Sequence, residues 1–303
     1  MKNITLYIAG ALMLFVPALL QAQALPFVAA ETDAAGLGQA GATLVETESI
    51  ANASFSNAAV IPFSDQTFDV SAGYTLWQPV SENIVNIGAA YNAGSKFGVA
   101  LGFQYGIQPP YGMAGANAAA GDAFSPKSLH ANVGLAWRFL PFLSLGANVG
   151  YATSSLAEGH SYGALAADVF AMAKFGGLKV TAGVANVGTT VKDAAGNEFC
   201  IPGSIAVGAG YSKVFGEKNG VDVLVDADYY FSGWMAVAAG AAYTYDDLVS
   251  VSVGYRYGGE SPVPSYASVG AGVKFLGIKL DAAYLISSSP IGNTLAVSLG
   301  YTF

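Results

Sequence analysis

The sequence is poor in charged residues. Lys, Arg, Asp and Glu together make up 11% of its 303 residues, whereas soluble domains carry about a quarter. A well-solvated surface cannot be built from so few charges. The chain also contains no internal apolar run of about 18 residues, which argues against a helical membrane protein. Since 53% of the residues are hydrophobic, they must recur at a short period, as in a transmembrane β-barrel.

Cysteine and histidine are nearly absent. Cys200 is the single cysteine, so no disulfide can form within the chain, and His130 and His160 are the only histidines. A structural zinc site is therefore not expected, because it needs about four protein ligands, and no cofactor is predicted. The net charge of −8 argues against nucleic acid as a partner, since phosphate binding needs clustered Lys and Arg.

The first 24 residues have the pattern of a cleaved signal peptide. Lys2 is followed by an apolar stretch over 4–20 that Pro17 interrupts, and then by small residues that allow cleavage after Ala22 or after Ala24. The pattern predicts export. For a barrel protein, it predicts the outer membrane of a Gram-negative bacterium.

Residues 25–64 do not resemble a strand. They are rich in Gly and Ala and carry scattered acidic residues. We interpret this region as a small N-terminal segment that is partly helical and is not part of the barrel wall.

Residues 65–303 follow a period of two, as residues 97–104 (FGVALGFQ) illustrate. Alternate side chains of a strand point to opposite faces, so this pattern predicts an apolar lipid face and a small or polar lumen face. Fourteen segments show it, an even number that suits a closed antiparallel barrel. The predicted segments are 67–77, 84–93, 96–105, 128–138, 142–152, 162–175, 178–187, 203–212, 221–231, 234–245, 248–257, 266–275, 278–286 and 294–303.

The connections between these segments alternate in length. The longer ones follow odd-numbered segments, at 106–127, 153–161, 188–202, 258–265 and 287–293, and most of those after even-numbered segments are tight. Outer-membrane barrels have the same asymmetry between long outer loops and short periplasmic turns.

Charged residues are concentrated on the predicted inward face, because a charge facing lipid is costly. They could form a polar conduit or bind a plug, but mutual pairing that braces the lumen is favoured. Pairing with basic residues is also preferred to a calcium site at Asp222, Asp226 and Asp228, since calcium needs about six oxygen ligands. The predicted inward charges are Asp69, Lys96, Arg138, Asp168, Lys179, Asp222, Asp226, Asp228, Arg256, Lys274, Lys279 and Asp281.

Inward apolar residues are fewer, and a hydrophobic route would need them to be contiguous. The candidates are Phe170, Met172, Leu224, Trp234 and Leu285. No catalytic residue is predicted. His160 lies beside Ser161, but no G-x-S-x-G motif accompanies the pair, so we expect a protein that is not an enzyme.

The last segment ends with Tyr301 and Phe303 on its apolar face. A C-terminal aromatic residue in this position resembles the signal by which the barrel-assembly machinery recognises its clients. We therefore predict that machinery as a partner, beside the lipid of the outer membrane.

Two N-terminal stretches carry a family resemblance. Residues 33–42 (DAAGLGQAGA) and 50–60 (IANASFSNAAV) resemble the start of the PorV/PorQ proteins and of FadL-type long-chain fatty acid transporters. Shorter matches follow at 166–168, 185–188, 201–203 and 292–294. The sequence departs from the family at Ala58, where a proline is usual.

The resemblance implies a barrel of about fourteen strands with residues 25–64 folded into its lumen as a hatch. Gly36, Gly38, Gly41 and Asn57 would be structural residues of that hatch. The PorV branch handles exported cargo in the type IX secretion of Bacteroidetes-like bacteria, and its partners are cargo and secretion components. The FadL branch takes up fatty acids and other hydrophobic molecules.

The many inward charges argue against a wide apolar pore. We therefore expect a PorV-type role in cargo handling or envelope assembly. The alternative is a FadL-like channel for hydrophobic compounds, and a purely structural barrel is the third possibility.

Overall fold

A computed structural model describes residues 23–78, 81–112, 123–193, 196–259, 261–287 and 293–303. The predicted signal peptide, residues 1–24, lies outside the described residues except for Gln23 and Ala24. The longest connection, 106–127, lies partly outside them.

Within the described ranges, fourteen antiparallel strands form a closed barrel. Each strand pairs with its neighbours in sequence, and β14 pairs with β1 to close the ring. The barrel strands are Phe68–Trp77 (β1), Glu82–Ala93 (β2), Phe97–Ile107 (β3), Lys127–Leu140 (β4), Leu143–Ala157 (β5), His160–Phe175 (β6), Leu178–Gly188 (β7), Ser204–Phe215 (β8), Asn219–Tyr230 (β9), Met235–Tyr245 (β10), Val249–Tyr257 (β11), Tyr266–Phe275 (β12), Ile278–Ser287 (β13) and Thr294–Thr302 (β14).

The strands alternate between an exposed apolar face and a buried face. In β3, Leu101 and Phe103 are exposed on the outside, whereas Gly98, Ala100 and Gly102 are buried. An exposed apolar band around a barrel is stable only in contact with lipid. The predicted fold class, an antiparallel barrel of about fourteen strands, is confirmed.

The two ends of the barrel differ. We call the end with the tight even-numbered connections the turn end and the other the loop end. At the loop end the prediction of a loop over 153–161 is wrong, because β5 continues to Ala157 and β6 begins at His160. Polar residues such as Ser154 and Ser155 end the apolar alternation there, but antiparallel pairing continues beyond it.

Two further connections at the loop end contain short strand pairs of their own. Tyr111–Gly112 pairs with Ala123–Phe124, and Val191–Lys192 pairs with Glu198–Phe199. These pairs give the connections local order beyond the barrel wall.

The N-terminal segment lies inside the barrel. It contains three 3-10 helices, Pro26–Ala29, Ala53–Phe55 and Ala58–Phe63, and one short α-helix, Ala34–Gly38 (α1). It starts at the loop end, where Ala24 N donates to Cys200 O (2.9 Å), and leads to β1 at the turn end. We call residues 25–64 the hatch. None of the helices in the described ranges is long and apolar enough to cross a membrane.

The core of the molecule lies between the hatch and the wall. Hatch residues Val45, Ile50 and Ile61 share one buried cluster with Phe170 and Leu224 of the wall. A second cluster joins Leu37 of α1 to Leu285 and other wall residues. Burial of these apolar side chains is the main force that holds the hatch in the lumen.

Candidate functional site: the hatch and the lumen

Two wall carboxylates hold the hatch backbone. Asp69 Oδ2 accepts hydrogen bonds from Ile50 N (2.8 Å) and Ala51 N (3.1 Å), and Asp226 Oδ2 accepts one from Leu44 N (2.9 Å). Both carboxylates are buried. Hydrogen bonds to charged acceptors are stronger than neutral ones, so inward acids that the sequence suggested for bracing also bind the hatch.

Neutral wall side chains bind the hatch carbonyls in the same way. These bonds matter because the irregular hatch backbone leaves many carbonyls without a partner in regular secondary structure. Wall donors and hatch acceptors are paired as Asn132 Nδ2 to Ser54 O (3.0 Å), Ser144 Oγ to Ala59 O (2.6 Å), Ser268 Oγ to Gly38 O (3.1 Å), Thr75 Oγ1 to Thr32 O (2.9 Å) and Asn92 Nδ2 to Ser64 O (2.9 Å).

Asn57 connects separate parts of the hatch. Its Oδ1 accepts from Ala59 N (2.9 Å), which caps the 3-10 helix that starts at Ala58. Its Nδ2 donates to Leu44 O (2.7 Å) and to Thr181 Oγ1 of the wall (3.2 Å). The 3-10 helix therefore forms with alanine at position 58.

The three hatch glycines are positions of close approach. A Cβ added at Gly38 would lie 3.1 Å from the Cα of Gly270 in the wall. One at Gly36 would lie 2.9 Å from both Glu31 Cδ and Thr43 Cγ2. Gly41 has φ +76°, a left-handed conformation that favours glycine.

Wall glycines that face the hatch are functional residues that the sequence analysis missed. A Cβ at Gly146 would overlap the backbone of Ala59, and one at Gly102 would overlap the ring of Phe55. The signal was present as glycine at inward strand positions, where a missing side chain lets another backbone approach closely. The sequence does not show where the hatch backbone runs, so it could not show which of these glycines the hatch approaches.

Most predicted inward charges lie in the lumen, and the structure pairs many of them. Two of the lysines donate hydrogen bonds to the hatch, Lys179 Nζ to Thr47 Oγ1 (3.4 Å) and Lys279 Nζ to Ser49 Oγ (3.3 Å). The ion pairs are Lys179–Asp222 (3.8 Å), Arg256–Asp228 (3.8 Å), Lys279–Asp69 (3.3 Å) and Lys274–Asp247 (2.7 Å).

Three predicted inward charges make other contacts. Asp168 Oδ1 accepts from Asn186 N (2.6 Å) at a bulge between β6 and β7. Arg138 lies over the ring of Phe63 in the hatch, 5.4 Å from its centroid. Asp281 lines the larger of the two cavities described below.

Lys96 and Trp234 correct the prediction. Lys96 precedes β3, is exposed, and lies over the ring of its neighbour Phe97 (5.9 Å) rather than in the lumen. Trp234 precedes β10 and is 40% exposed in a turn at the loop end. The inward parity read from each strand does not hold in the adjoining turn, because the pleat ends there.

The other four predicted inward apolar residues are covered by the hatch. Phe170, Met172 and Leu224 are buried against hatch side chains, and Leu285 is buried beside α1. They form the contact surface of the hatch and do not line an open apolar route.

In the part of the chain that the structure describes, two cavities flank the hatch. The wide cavity has about 660 Å³, opens at the turn end, and is lined by residues such as Glu48, Lys174, Asp222, Asp247 and Lys279. The narrow cavity has about 90 Å³ and lies on the loop side of the hatch. Its lining includes Leu44, Phe55, Asp226, Arg256 and Tyr266.

Hatch carboxyl groups have raised pKa values. Burial, together with the nearby charge of Asp33, raises the pKa of Glu31 to about 7, although Glu31 accepts backbone hydrogen bonds. Burial, together with Glu46 and Asp222, raises the pKa of Glu48 to about 7. These groups therefore change charge near neutral pH.

The described residues contain no cluster of metal-ligating side chains. His130 is buried and lies beside the rings of Phe27 (6.4 Å) and Phe55 (5.4 Å). Ser161 Oγ donates to Ser155 Oγ (3.1 Å). His130 therefore packs against aromatic rings of the hatch, and Ser161 joins the two strands of the β5–β6 hairpin.

The C-terminal aromatic residues lie at the turn end. Phe303 O accepts from Thr67 N (2.7 Å) and Phe68 N (2.9 Å), and the rings of Phe303 and Tyr301 are 5.9 Å apart. Both side chains are exposed on the lipid face. Recognition of these residues by the assembly machinery stays a prediction.

No protein-family model matches the chain, and no curated protein matches it. Solved structures match its fold. The toluene transporter TbuX of Ralstonia pickettii has a TM-score of 0.60 at 10% identity, over 89% of this chain and 98% of the other. The monoaromatic hydrocarbon channel CymD has 0.63 at 11%, over 90% and 97%. A FadL homologue of Pseudomonas aeruginosa has 0.54 at 12%, over 90% and 98%.

At these identities the likeness establishes the fold. The shared fold is a closed fourteen-stranded barrel, and in this chain the N-terminal segment lies in its lumen. The narrower resemblance to PorV and PorQ is not supported, because these structures are described as a toluene transporter, a hydrocarbon channel and a FadL homologue.

Proposed function

We propose that the protein is an outer-membrane channel that takes up small hydrophobic compounds, and that it is not an enzyme. The observation that carries this proposal is the hatched barrel with a cavity on each side of the hatch. Its fold is similar to that of proteins described as toluene transporters and monoaromatic hydrocarbon channels. This is the alternative in the sequence analysis, and we now prefer it to PorV-type cargo handling.

The barrel surface supports the membrane location. Exposed apolar side chains such as Leu101, Val149 and Leu299 run around the wall, and aromatic residues flank them at the turn end. Such a band fits the hydrocarbon layer and its interfaces. Together with the predicted signal peptide, it supports the outer membrane of a Gram-negative bacterium.

Uptake by whole cells tests the proposal, because lipopolysaccharide slows the entry of hydrophobic compounds. The protein is expressed in a Gram-negative host that lacks its own hydrophobic-compound channels, and uptake of radiolabelled toluene and of a long-chain fatty acid is measured. The control is the empty vector, with barrel assembly verified by heat modifiability. We expect faster toluene uptake than in the control.

Uptake of both compounds at the control rate would overturn the channel. Stoichiometric secretion or assembly proteins bound to the natively purified barrel would then favour the PorV-type role. The absence of both would leave a structural barrel.

A further inference from the structure

Three hatch residues line both cavities. Glu31, Thr43 and Ser56 contribute to the lining of the wide cavity and to that of the narrow cavity. Residues that face two cavities lie between them. They therefore form the partition that separates the space at the turn end from the space on the loop side.

We propose that Glu31, Thr43 and Ser56 form the constriction through which solutes cross the hatch, and that the Glu31 carboxylate makes this passage favour neutral and cationic solutes over anions. This inference rests on the proposed channel function and specifies its solute class. It favours uncharged hydrophobic compounds and disfavours fatty acid anions.

Glu31 is held in place at the partition. Its Oε1 accepts hydrogen bonds from Thr32 N and Asp33 N, both at 2.8 Å. Its Cδ and the Cγ2 of Thr43 both lie 2.9 Å from the position that a Cβ of Gly36 would occupy. The absence of a side chain at Gly36 therefore lets the carboxyl group and the threonine methyl group meet at the partition.

The seam between hatch and wall offers a poorer route. Wall glycines bring the strands against the hatch backbone, and at Gly146 and Gly254 not even a Cβ would fit beside Ala59 and Ala40. Wall side chains also bind the hatch carbonyls along this seam. These contacts close the seam, so the partition between the two cavities is the better candidate for a passage.

The charge around the partition supports the selectivity. Eight carboxyl groups but four lysines line the wide cavity, and screening in physiological salt leaves charges coupled over about 8 Å. On the loop side, Arg256 faces Asp226 and Asp228, which offset its charge. An anion that reaches Glu31 therefore meets an acidic surrounding.

Ion selectivity in planar bilayers tests the role of Glu31 without any hydrocarbon. The reversal potential is measured in a KCl gradient at about pH 8, where Glu31 is ionised because its pKa is about 7, for the wild type, Glu31→Gln and Glu46→Gln. Gln keeps the size and the accepting oxygen of Glu31. Glu46 is the matched control, because it lines the wide cavity but not the partition, and its Oε1 likewise accepts a backbone N–H, from Glu48 (2.6 Å).

We expect a cation-selective wild type. Glu31→Gln should lower the K⁺/Cl⁻ permeability ratio by about threefold or more, and Glu46→Gln by less than about 1.5-fold. An anion-selective wild type, or equal effects of the two variants, would overturn the proposal. If the wild type carries no current, Glu31→Ala should open a current that Glu46→Ala does not. The absence of current in both Glu31→Ala and Glu46→Ala would also refute the constriction.

A thiol experiment tests the position of the constriction. In a Cys200→Ser background, Ser56→Cys is modified with a bulky neutral methanethiosulfonate, and Ser49→Cys, which lines only the wide cavity, serves as the control. The cysteines are introduced into whichever of the wild type, Glu31→Gln and Glu31→Ala conducts best. Modification at position 56 should lower the conductance by about fivefold or more. Modification at position 49 should have a small effect. Equal block at both positions would contradict the assignment.

The two proposals fail in different ways. A cation-selective wild type whose selectivity falls in Glu31→Gln, but which does not take up toluene, would refute hydrocarbon transport and leave the constriction. Toluene uptake together with unchanged selectivity in Glu31→Gln would refute the constriction and leave the channel.

Discussion

At the scale of single residues, buried carboxylates perform the docking of the hatch. Asp69 and Asp226 accept backbone N–H groups of the hatch, and Asp69 also pairs with Lys279. A buried carboxylate is stable only when it has such partners. Removal of one charge should therefore affect the hatch more than the barrel wall.

Replacement of Asp69 by Asn should loosen the hatch at residues 50–51. Hydrogen bonds to charged groups contribute about 1.5–3 kcal/mol, so we expect hydrogen exchange there to rise roughly tenfold or more. Mass spectrometry of hatch peptides measures it. Asp247→Asn is the control, because its pair with Lys274 is exposed and such pairs contribute little. Unchanged exchange in Asp69→Asn would contradict the docking role.

Glu31 should make hatch stability depend on pH. Its pKa in the folded protein is about 7, against an ordinary value of 4.5. Between these values the folded state binds more protons than the unfolded state, so stability falls as pH rises from 4.5 to about 7. Exchange protection factors of the hatch, corrected for intrinsic rates, should be higher at about pH 5 than at about pH 8. Glu31→Gln should reduce this difference, and an unchanged profile would refute the assignment.

At the scale of elements, the strands present glycine where the hatch passes and aromatic residues where the barrel ends. Gly146 of β5 lies against the hatch backbone, and Phe303 follows β14 at the turn end. For each of these two positions, a similar residue elsewhere in the barrel serves as a control.

Gly146→Val should displace the hatch without preventing barrel formation. A Cβ there would overlap Ala59, and overpacking of this kind costs about 1–3 kcal/mol. Conductance in planar bilayers should increase. Gly220→Ala is the control, since the nearest atom to its new Cβ would lie at an ordinary 3.5 Å. Equal traces for both variants would show that the hatch tolerates the clash.

Phe303→Ala should lower the amount of assembled, heat-modifiable barrel if Phe303 belongs to the assembly signal. Phe275→Ala is a matched control, because both rings are lipid-facing at the turn end with similar exposure, 64% for Phe275 and 63% for Phe303. A loss of the same size in both variants would assign Phe303 to the aromatic girdle instead.

At the scale of the whole molecule, the hatch and the barrel form one packed body. Wall residues Phe170 and Leu224 are buried in one cluster with hatch residues. The lumen therefore contains a charged cavity at one end, a smaller cavity at the other, and a packed partition between them. The described hatch therefore closes the lumen, which an open pore would leave free.

Deletion of residues 25–64, with the signal peptide retained, should give a barrel with a conductance several-fold above that of the wild type. The reason is that the described hatch fills the lumen between the two cavities. Planar-bilayer recording measures the change, and heat modifiability confirms that the barrel assembles. A conductance equal to that of the wild type would refute the plug.

Much of the barrel was predictable, because its signal is local. Segment 266–275 matches β12 at both ends, and the other thirteen differ from the strands by a few residues. The errors lie where the local signal ends. Lys96 and Trp234 lie in turns, where side chains no longer alternate between the two faces of a strand. At 153–161 the two strands stay paired although their outward residues are no longer apolar.

The sequence by itself determined the class of fold, because lipid on one side and a lumen on the other impose an alternation that neighbouring residues record. Only the tertiary structure decided how the lumen is closed. The bonds of Leu44 to Asp226 and of Ile50 to Asp69 join residues far apart in the chain. Glu31, Thr43 and Ser56 line the same cavities although they lie on separate parts of an irregular backbone. Such contacts depend on distances in space, and no periodic pattern along the chain encodes them.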